Sequence, residues 1–349
     1  MNDNNQIWKG KIDFVITWVD GSDPKWIAEK KKYENVIAES SKSVDANSIC
    51  RYRADSELLR YWFRSVEKFA PWVNKIHFVT CGQKPDWLNE NHPQLNLVNH
   101  KDYIPSEYLP TFNSNVIELN LNRLPDLEEC FVLFNDDTFL LQPVSPSLFF
   151  KKGKPVLSPD LMYPRYLAYS NWGRVLYNDY CVVNNCFDIK KSIWENRWKW
   201  FNIKELGLKQ VWQNIKCYVT NKTLPVGVYE HVAHPHLKSS FQEVWDSRSD
   251  IMNHTSSRKF RSDDQVNQYL LCAWNQAKGL FTPIRKDKRG KTFEISLTCI
   301  NRIILAIESQ QYSQVCLNDS PVNTHNDVCC SKICDAFKMI LPNKSGFEL

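Results

Sequence analysis

The stretch Cys130-Phe131-Val132-Leu133-Phe134-Asn135-Asp136-Asp137 decides how this 349-residue chain is organised. Mostly apolar, strand-forming residues are followed at once by three polar ones, which is typical of a buried strand that ends at the edge of a sheet. Adjacent Asp136 and Asp137 repel one another, so solvent, a basic partner or a divalent cation must offset their charge. Mg2+ or Mn2+ would suit, because these ions prefer carboxylate oxygens and are often completed by substrate phosphates. A solvated turn at the end of a strand is the alternative for an isolated Asn-Asp-Asp.

Strands and helices alternate around this segment. We therefore predict an α/β fold of the GT-A-like or Rossmann-like kind, with a mixed, mostly parallel sheet flanked by helices and a helical, aromatic-rich insertion. Asp20 follows the first predicted strand as Asp136 follows the central one. The two would share a rim of the sheet if their strands are neighbours. The strands are predicted at residues 11–18, 75–80, 95–99 and 130–134, and helices at residues 24–38, 56–70 and 113–124.

Composition excludes several classes of protein. With 43% apolar residues the chain can bury a large core, and its formal net charge of +5 is dispersed, so a nucleic-acid groove is not indicated. No apolar run approaches about 18 residues, so no membrane span is predicted. The twelve cysteines are spread from Cys50 to Cys334, and the amino terminus lacks the pattern of a secretory signal. We expect reduced thiols and a cytoplasmic location.

Three parts of the chain differ in character. Residues 1–145 are predicted to form an α/β part, and residues 226–349 to complete the same core. Residues 146–225 are predicted to form an aromatic and basic helical insertion. Its segment 189–213, rich in Trp and Lys, could touch a membrane surface or a polyanionic glycan. We expect its tryptophans instead to pack against the core.

Three of the eight histidines fall within six positions, at His231, His234 and His236. Three close imidazoles could bind zinc, but the spacing with its internal proline is not that of a helical zinc motif. A general base near pH 7 needs only one of them. Chance or structural clustering stays an open alternative.

Arg261 precedes Ser262-Asp263-Asp264-Gln265, which has the pattern of a capping box opening a helix that ends at Gly279. A phosphate would be favoured beside such a helix terminus by the guanidinium and by the free N–H groups. Pairing of Arg261 with Asp263 or Asp264 on the surface is the alternative. Further on, residues 315–319 repeat the step from strand to polar residues, and a helix is predicted at residues 327–340.

Together these stretches resemble the Stealth family, which comprises bacterial capsular polysaccharide phosphotransferases and the catalytic core of the animal N-acetylglucosamine-1-phosphotransferase alpha/beta precursor. The resemblance covers nearly the whole chain in order. The spacing between Arg51 and Leu58 is one residue longer than the usual pattern, and the accessory modules of the animal enzyme are absent, which suggests a bacterial enzyme. The motifs are Ile12 to Asp23, Arg51-Tyr52-Arg53, Glu57 to Tyr61, Ala70 to Val73, Leu109 to Ser114, Leu133 to Asp137, the His231 segment, Arg261 and Cys316 to Asp319.

The resemblance implies transfer of a hexose 1-phosphate from a nucleotide sugar, with UDP as the expected nucleotide, to a glycan hydroxyl. It implies His231 as the base, supported by His234, and Arg261 as the group that stabilises charge on the phosphoryl group. Asp136 and Asp137 would hold Mg2+ or Mn2+. Arg51 and Arg53 would hold the diphosphate and Asn318 would orient the donor. The donor-binding set is completed by Asp13, Thr17, Trp18, Asp20 and Ser114. The resemblance thus implies that residues 1–145 bind the nucleotide sugar, that residues 146–225 lie on the acceptor side and that residues 226–349 carry the catalytic His and Arg segment.

The partners that the resemblance implies are a nucleotide-sugar donor and a capsular glycan acceptor, with no nucleic acid. Peripheral association with capsule machinery at the inner membrane and a homodimer are compatible with it. One rival is a metal-dependent GT-A-like glycosyltransferase, for which carboxylates at the end of a strand would serve equally well and which releases a nucleoside diphosphate. A second rival is a non-catalytic module that binds a nucleotide or a glycan.

Overall fold

The computed structural model describes residues 10–37, 57–162, 171–220, 226–227, 230–319 and 326–349. The proposed ligands Arg51 and Arg53 lie outside these ranges. The strands are β1 (Ile12–Thr17), β2 (Ile76–Thr80), β3 (Leu95–Asn99), β4 (Cys130–Asn135), β5 (Thr138–Leu140), β6 (Phe150–Lys151), β7 (Lys154–Leu157), β8 (Leu161–Met162), β9 (Val226–Gly227), β10 (His234–Leu237), β11 (Thr282–Pro283), β12 (Lys291–Ile295) and β13 (Gln314–Asp319). The helices are α1 (Pro24–Ile37), α2 (Glu57–Phe69), α3 (Ser114–Leu119), α4 (Asn171–Cys186), α5 (Ile189–Glu195), α6 (Arg197–Trp200), α7 (Ile203–Thr220), α8 (Lys238–Ser247), α9 (Ser249–Ser256), α10 (Tyr269–Ala277), α11 (Ile300–Glu308) and α12 (Asn326–Ile340).

A five-stranded sheet in the order β10-β4-β1-β2-β3 forms the centre of the fold. Strands β4, β1, β2 and β3 run parallel to one another, and β10 lies antiparallel beside β4 at the edge of the sheet. The predicted mixed, mostly parallel α/β architecture is thus confirmed. Because β1 lies directly between β4 and β2, Thr17 at the end of β1 stands opposite Asn135 at the end of β4. The two strands therefore deliver their loops to one rim, as predicted for neighbouring strands.

The central strands are mostly apolar and almost fully buried because both faces of the sheet are covered. On one face Phe14 and Phe134 are in contact, with ring centroids 4.7 Å apart, and helices α2, α11 and α12 pack over them. On the other face Val15 and Leu133 pack against helices α4, α8 and α10. Successive side chains of one strand thus enter two different cores, which fixes the register of β1 against β4.

A second sheet, in the order β12-β13-β5, begins where the first one ends. Residues Asp136 and Asp137 form the turn between β4 and β5, so the chain passes from one sheet to the other at the two carboxylates. The backbone N–H of Leu317 in β13 donates to the carbonyl of Asp137 at 2.8 Å. The Asp-Asp turn is therefore held from both sheets.

The helix predicted to open at Ser262 begins instead at Tyr269, so the capping-box prediction is wrong. Other parts of the fold take the backbone groups that a first helical turn would use. The Asn178 amide donates to the carbonyls of Asp263 and Gln265, and the N–H of Asn267 donates to Asp179 Oδ1 at 3.0 Å. Local capping chemistry is outweighed here by buried tertiary hydrogen bonds.

The insertion contains helices α4 to α7, and its tryptophans do not behave as predicted. Trp200 is buried, with 1% of its surface exposed, and packs on Phe281. Trp194, Trp198 and Trp212 are between 58% and 75% exposed, so the prediction that they pack against the core is wrong for these three. The amphipathic segment predicted at residues 189–213 therefore carries apolar side chains toward solvent as well as toward the core.

Within the described part of the chain, no helix combines the length and the hydropathy that crossing a bilayer requires. The eleven cysteines of the same residues are free thiols.

Candidate functional site

Three side chains from distant parts of the sequence meet beside the Asp-Asp turn. One ligand atom each of Asp137, His231 and Cys316 lies within 4.8 Å of the other two. Topology explains the meeting. Since β10 runs antiparallel to β4, with His234 opposite Leu133, the segment just before β10 arrives at the carboxyl end of β4. Strand β13 pairs with β5 and sets Cys316 opposite Thr138, next to Asp137.

The imidazole of His231 is held against the end of β4 by a side-chain amide. Its Nε2 lies 2.5 Å from Nδ2 of Asn135, the residue that precedes the two aspartates. The backbone N–H of His231 donates to Oγ1 of Thr292 at 3.2 Å, and Thr292 donates in turn to Glu230 Oε2 at 3.1 Å. The first sheet thus holds the His231 ring and the second sheet holds its backbone, while the residue remains partly exposed at the rim.

The other two clustered histidines are core residues. His234 and His236 are 2% and 0% exposed, on strand β10. Burial, with a contribution from the charge of Arg289, lowers the pKa of His234 well below its ordinary value, and burial lowers the pKa of His236 to about 4. His234 Nε2 bonds the carbonyl of Glu230 at 3.0 Å. It thus contacts the residue beside His231, a place that suits support of His231 and not contact with a substrate.

A second cluster joins two residues that the sequence analysis named separately. The Arg261 guanidinium donates from Nη2 to Oγ of Ser114 at 2.6 Å. Ser114 begins α3, and one turn later the carboxyl of Glu118 is hydrogen-bonded to the same serine side chain. Burial raises the pKa of Glu118 to about 7, although the charge of Arg261 and the serine hydrogen bond act in the opposite direction. No helix opens at Ser262, so the predicted contribution of free N–H groups at a helix start directly after Arg261 is wrong.

The surface pairs proposed as the alternative for Arg261 are made by other residues. Asp263 pairs with Arg174, and Asp264 pairs with Arg258 and His254. The Arg261 side chain donates to Ser114, whose hydroxyl is also hydrogen-bonded to the buried Glu118.

Tyr269 is a buried residue of α10. Burial raises its pKa well above the ordinary value, and the charges of Cys272, Glu118, Cys316 and Asp137 add to the rise. The ring also lies edge-on to His234, with centroids 5.3 Å apart.

The loop after β1 belongs to the same rim. The Asp20 backbone is fixed by the Gln83 side chain, which bonds its N–H at 2.8 Å and its carbonyl at 3.1 Å, and Asp20 Oδ1 accepts from Ser22. Thr17 lies half-buried opposite Asn135. Trp18 is 4% exposed and stacks on Phe78, so its indole is part of the core.

Asp13 is not brought to this rim, and the prediction that it belongs to the metal and nucleotide site is not supported. It lies at the amino-terminal end of β1 and is fully buried. Its carboxylate accepts from Asn74 Nδ2 at 2.7 Å, from His77 Nε2 at 3.0 Å and from the Glu128 N–H at 2.9 Å. Burial would raise the pKa of Asp13, but these hydrogen bonds outweigh it and lower the pKa. The residue is a structural carboxylate that ties β1 to its neighbours.

Sequence reasoning missed several residues of the site. Asn318 was named, and it lies on the same face of β13 as Cys316, about 6 to 7 Å along the strand. Cys316 itself was quoted and given no role. Glu118 could have been found from its spacing, since it stands four residues after Ser114 on a predicted helix. The missed residues are Asn135, Glu118, Glu230, Thr292 and Cys316.

The donor atoms beside the Asp-Asp turn fit two kinds of cation. Asp136 and Asp137 offer the oxygens that Mg2+ and Mn2+ prefer. Asp137 is also next to an imidazole and a thiol, a softer set that suits Zn2+ better. Both sets share Asp137, so a soft metal bound there would engage His231.

Comparisons with known proteins agree with the order of these motifs. Residues 10–35 match conserved region 1 of the Stealth proteins, and residues 51–157 match conserved region 2. The capsular polysaccharide phosphotransferase WcwK of Streptococcus pneumoniae is 38% identical over 340 residues, which cover 97% of this chain and 98% of that protein. The receptor polysaccharide phosphotransferase WefC of Streptococcus oralis is 37% identical over 345 residues, covering 97% of this chain and 99% of WefC.

Among solved structures, the apo structure of the bifunctional glycosyltransferase WbbM aligns with 97% of this chain and 51% of its own. The identity is 10% and the TM-score 0.38, a likeness too low to carry an argument. The sequence relatives span almost the full length of this chain at well over 30% identity, and both conserved regions occur in their proper order. This chain therefore belongs to the Stealth family.

Proposed function

We propose that the protein is a capsular polysaccharide phosphotransferase that moves a sugar 1-phosphate from a UDP-linked donor to a glycan hydroxyl. The product is a phosphodiester, and a nucleoside monophosphate is released. The observation that carries this proposal is the placement of the partly exposed His231 against Asn135 and Asp137, at the rim where β1 and β4 end. The relatives WcwK and WefC are named capsular and receptor polysaccharide phosphotransferases, and these names point to the same reaction class.

The chemistry assigns a separate role to each cluster. His231 takes the proton of the acceptor hydroxyl, whose oxygen attacks the phosphorus that carries the sugar. The bond from that phosphorus to the bridging oxygen breaks, and the oxygen leaves with the nucleoside monophosphate. Arg261 stabilises the charge that develops on the phosphoryl oxygens, since phosphoryl transfer depends mainly on positioning and charge neutralisation.

The remaining assignments concern the donor. Ser114 orients the Arg261 guanidinium through the hydrogen bond between them, and Asn318 reaches the donor from β13. Thr17 and Asp20 line the rim where the nucleotide enters. A Mg2+ or Mn2+ ion held by Asp136 and Asp137 would neutralise charge on the diphosphate. Arg51 and Arg53 complete the diphosphate site in this proposal.

The released nucleotide tests the proposal directly. Purified protein is incubated with a panel of UDP-sugars and short capsular oligosaccharides, and all products are read by mass spectrometry. Release of UMP, with an acceptor that gains a sugar and a phosphate, is the expected result. Release of UDP, with an acceptor that gains the sugar alone, would establish the GT-A-like glycosyltransferase instead. Bound donor without any product would establish a binding module.

Metal exchange gives a second prediction. Chelation should abolish turnover and Mg2+ or Mn2+ should restore it, because the diphosphate charge is then neutralised again. Zn2+ should inhibit, because Cys316 and Asp137 hold it beside the base His231. Cys316→Ser should weaken the inhibition by Zn2+ by about tenfold or more, relative to the rate of that variant without zinc. Turnover that survives exhaustive chelation would contradict the metal role of Asp136 and Asp137.

A further inference from the structure

Helix α7 presents an apolar stripe to solvent. Leu208, Trp212, Ile215 and Val219 follow one another at the spacing of one helical face, and three of the four are 68% to 72% exposed. The stripe lies wholly after a non-helical break at Gly207, and the same stretch of helix buries Val211, Asn214 and Cys217 on another face. Helix α7 therefore satisfies its packing against the protein with one face and leaves a second apolar face without a partner among the described residues.

The exposed apolar surface is concentrated in this part of the fold. Of the fourteen large hydrophobic side chains exposed in the described ranges, eight lie between Tyr177 and Val219. Trp194 and Trp198 stand on the adjoining helices α5 and α6, and the Arg197 guanidinium lies 5.3 Å from the centroid of each of their rings. Scattered exposed hydrophobics are normal on any protein, but a concentration of this kind marks a surface that contacts something.

Helices α5 to α7 pack together as one unit. The Asn214 amide donates to the carbonyl of Trp200 at 2.8 Å, and Lys190 lies 5.5 Å from the Tyr218 ring centroid. The stripe of α7 and the tryptophans of α5 and α6 therefore belong to one packed group of helices. We call residues 189–220 the basic helical unit.

Charge identifies the kind of partner. The basic helical unit holds seven basic residues and two acidic ones, an excess of five positive charges that equals the formal charge of the whole chain. Lys209 and Lys216 are exposed and each follows a stripe residue directly, so their ammonium groups can reach past the apolar side chains. A second copy of the chain would bring the same positive charge and be repelled. A glycan presents mainly hydroxyl groups, which form no hydrogen bonds with the aliphatic side chains of Leu208, Ile215 and Val219.

We propose that the basic helical unit docks the protein on an anionic lipid surface. The apolar stripe of α7 enters the boundary between headgroups and acyl chains, and the surrounding lysines bind the acidic headgroups. Trp212 is suited to this depth because its ring is apolar and its N–H is polar. Docking of this kind depends on the exposed apolar side chains and the positive charge of the basic helical unit, and it is independent of the reaction at the rim.

Vesicle flotation with the full chain tests the proposal. Vesicles of phosphatidylcholine with about one-third phosphatidylglycerol should bind the protein, and pure phosphatidylcholine vesicles should bind it at least tenfold more weakly. Leu208→Ser with Trp212→Ser should reduce binding to the acidic vesicles by at least tenfold. Lys209→Gln with Lys216→Gln should also reduce it, and the difference from the unchanged protein should shrink as salt is raised, because salt screens the electrostatic contacts that these two lysines supply.

A matched control uses exposed leucines elsewhere. Leu297→Ser with Leu305→Ser removes two side chains that are 52% and 63% exposed outside the basic helical unit, and it should bind vesicles like the unchanged protein. Equal loss in this control, equal binding to both kinds of vesicle, or no binding at all would overturn the proposal. A dimer in solution that the Leu208 and Trp212 changes dissociate would also overturn it, in favour of a second copy. Turnover on a soluble acceptor is measured for the same variants. Because that reaction needs no vesicle, its rate shows whether the proposed reaction fails independently of vesicle binding.

Discussion

Replacing His231 with glutamine is expected to lower kcat by about 10²-fold or more, with the protein still folded. Glutamine can keep a hydrogen bond to the Asn135 amide, which now holds the imidazole at 2.5 Å, but it cannot accept a proton from the acceptor hydroxyl. Since the side chain is at the rim and not in the core, the thermal midpoint should change little. Steady-state rates of nucleotide release, with saturating donor and acceptor, give the measurement.

Two other histidines make the interpretation secure. His254→Gln removes an exposed imidazole that pairs with Asp264, and its turnover should stay within about twofold of the unchanged protein. His236→Gln changes a buried ring on β10, and it should affect the unfolding midpoint more than kcat. A His231→Gln enzyme that retains more than a tenth of the activity would remove the general base from the mechanism.

The sequence was sufficient for the four parallel strands of the central sheet because their signals are local, whereas β10 was not predicted. The apolar run of β4, the polar step at Asn135 and the alternation of strands with helices each depend on neighbouring residues, and each of these is present as predicted. The rim shared by β1 and β4 followed from parallel topology once the two strands were neighbours. Asp13 illustrates the limit. Nothing local distinguishes a carboxylate that begins a strand from one that serves a site, and only the three-dimensional positions of Asn74 and His77 show that it is structural.

The elements that were mispredicted have non-local causes. The segment after Arg261 has a good capping sequence, but the side chains of Asn178 and Asp179 on α4 take its backbone groups. Similarly, Asn135, Cys316 and Thr292 come from three strands, and only the joining of two sheets at the Asp-Asp turn brings them to His231. Sequence predicts which residues can do chemistry, while the topology selects those that meet.

Arg261→Gln is expected to lower kcat by about 10²-fold to 10³-fold, because removal of an arginine that stabilises a phosphoryl transition state typically costs this much. Lysine should rescue only part of the loss, since an ammonium cannot reproduce the planar fork that a phosphoryl group accepts. The fold should tolerate both changes. Glu118, the buried carboxyl nearby, has a pKa of about 7 and can take up a proton when the positive charge is removed.

Two variants distinguish action on the substrate from mere neutralisation of Glu118. If Arg261 served only to balance that carboxyl, adding Glu118→Gln to Arg261→Gln would restore turnover, because the amide needs no counter-charge. If Arg261 acts on the transferred phosphoryl group, the double variant stays as slow as Arg261→Gln alone. Arg258→Gln is the matched control three residues earlier, where the guanidinium pairs with Asp264 at the surface, and it should leave kcat unchanged. Recovery in the double variant would assign Arg261 to the fold and leave the phosphoryl charge to the cation and to other residues of the rim.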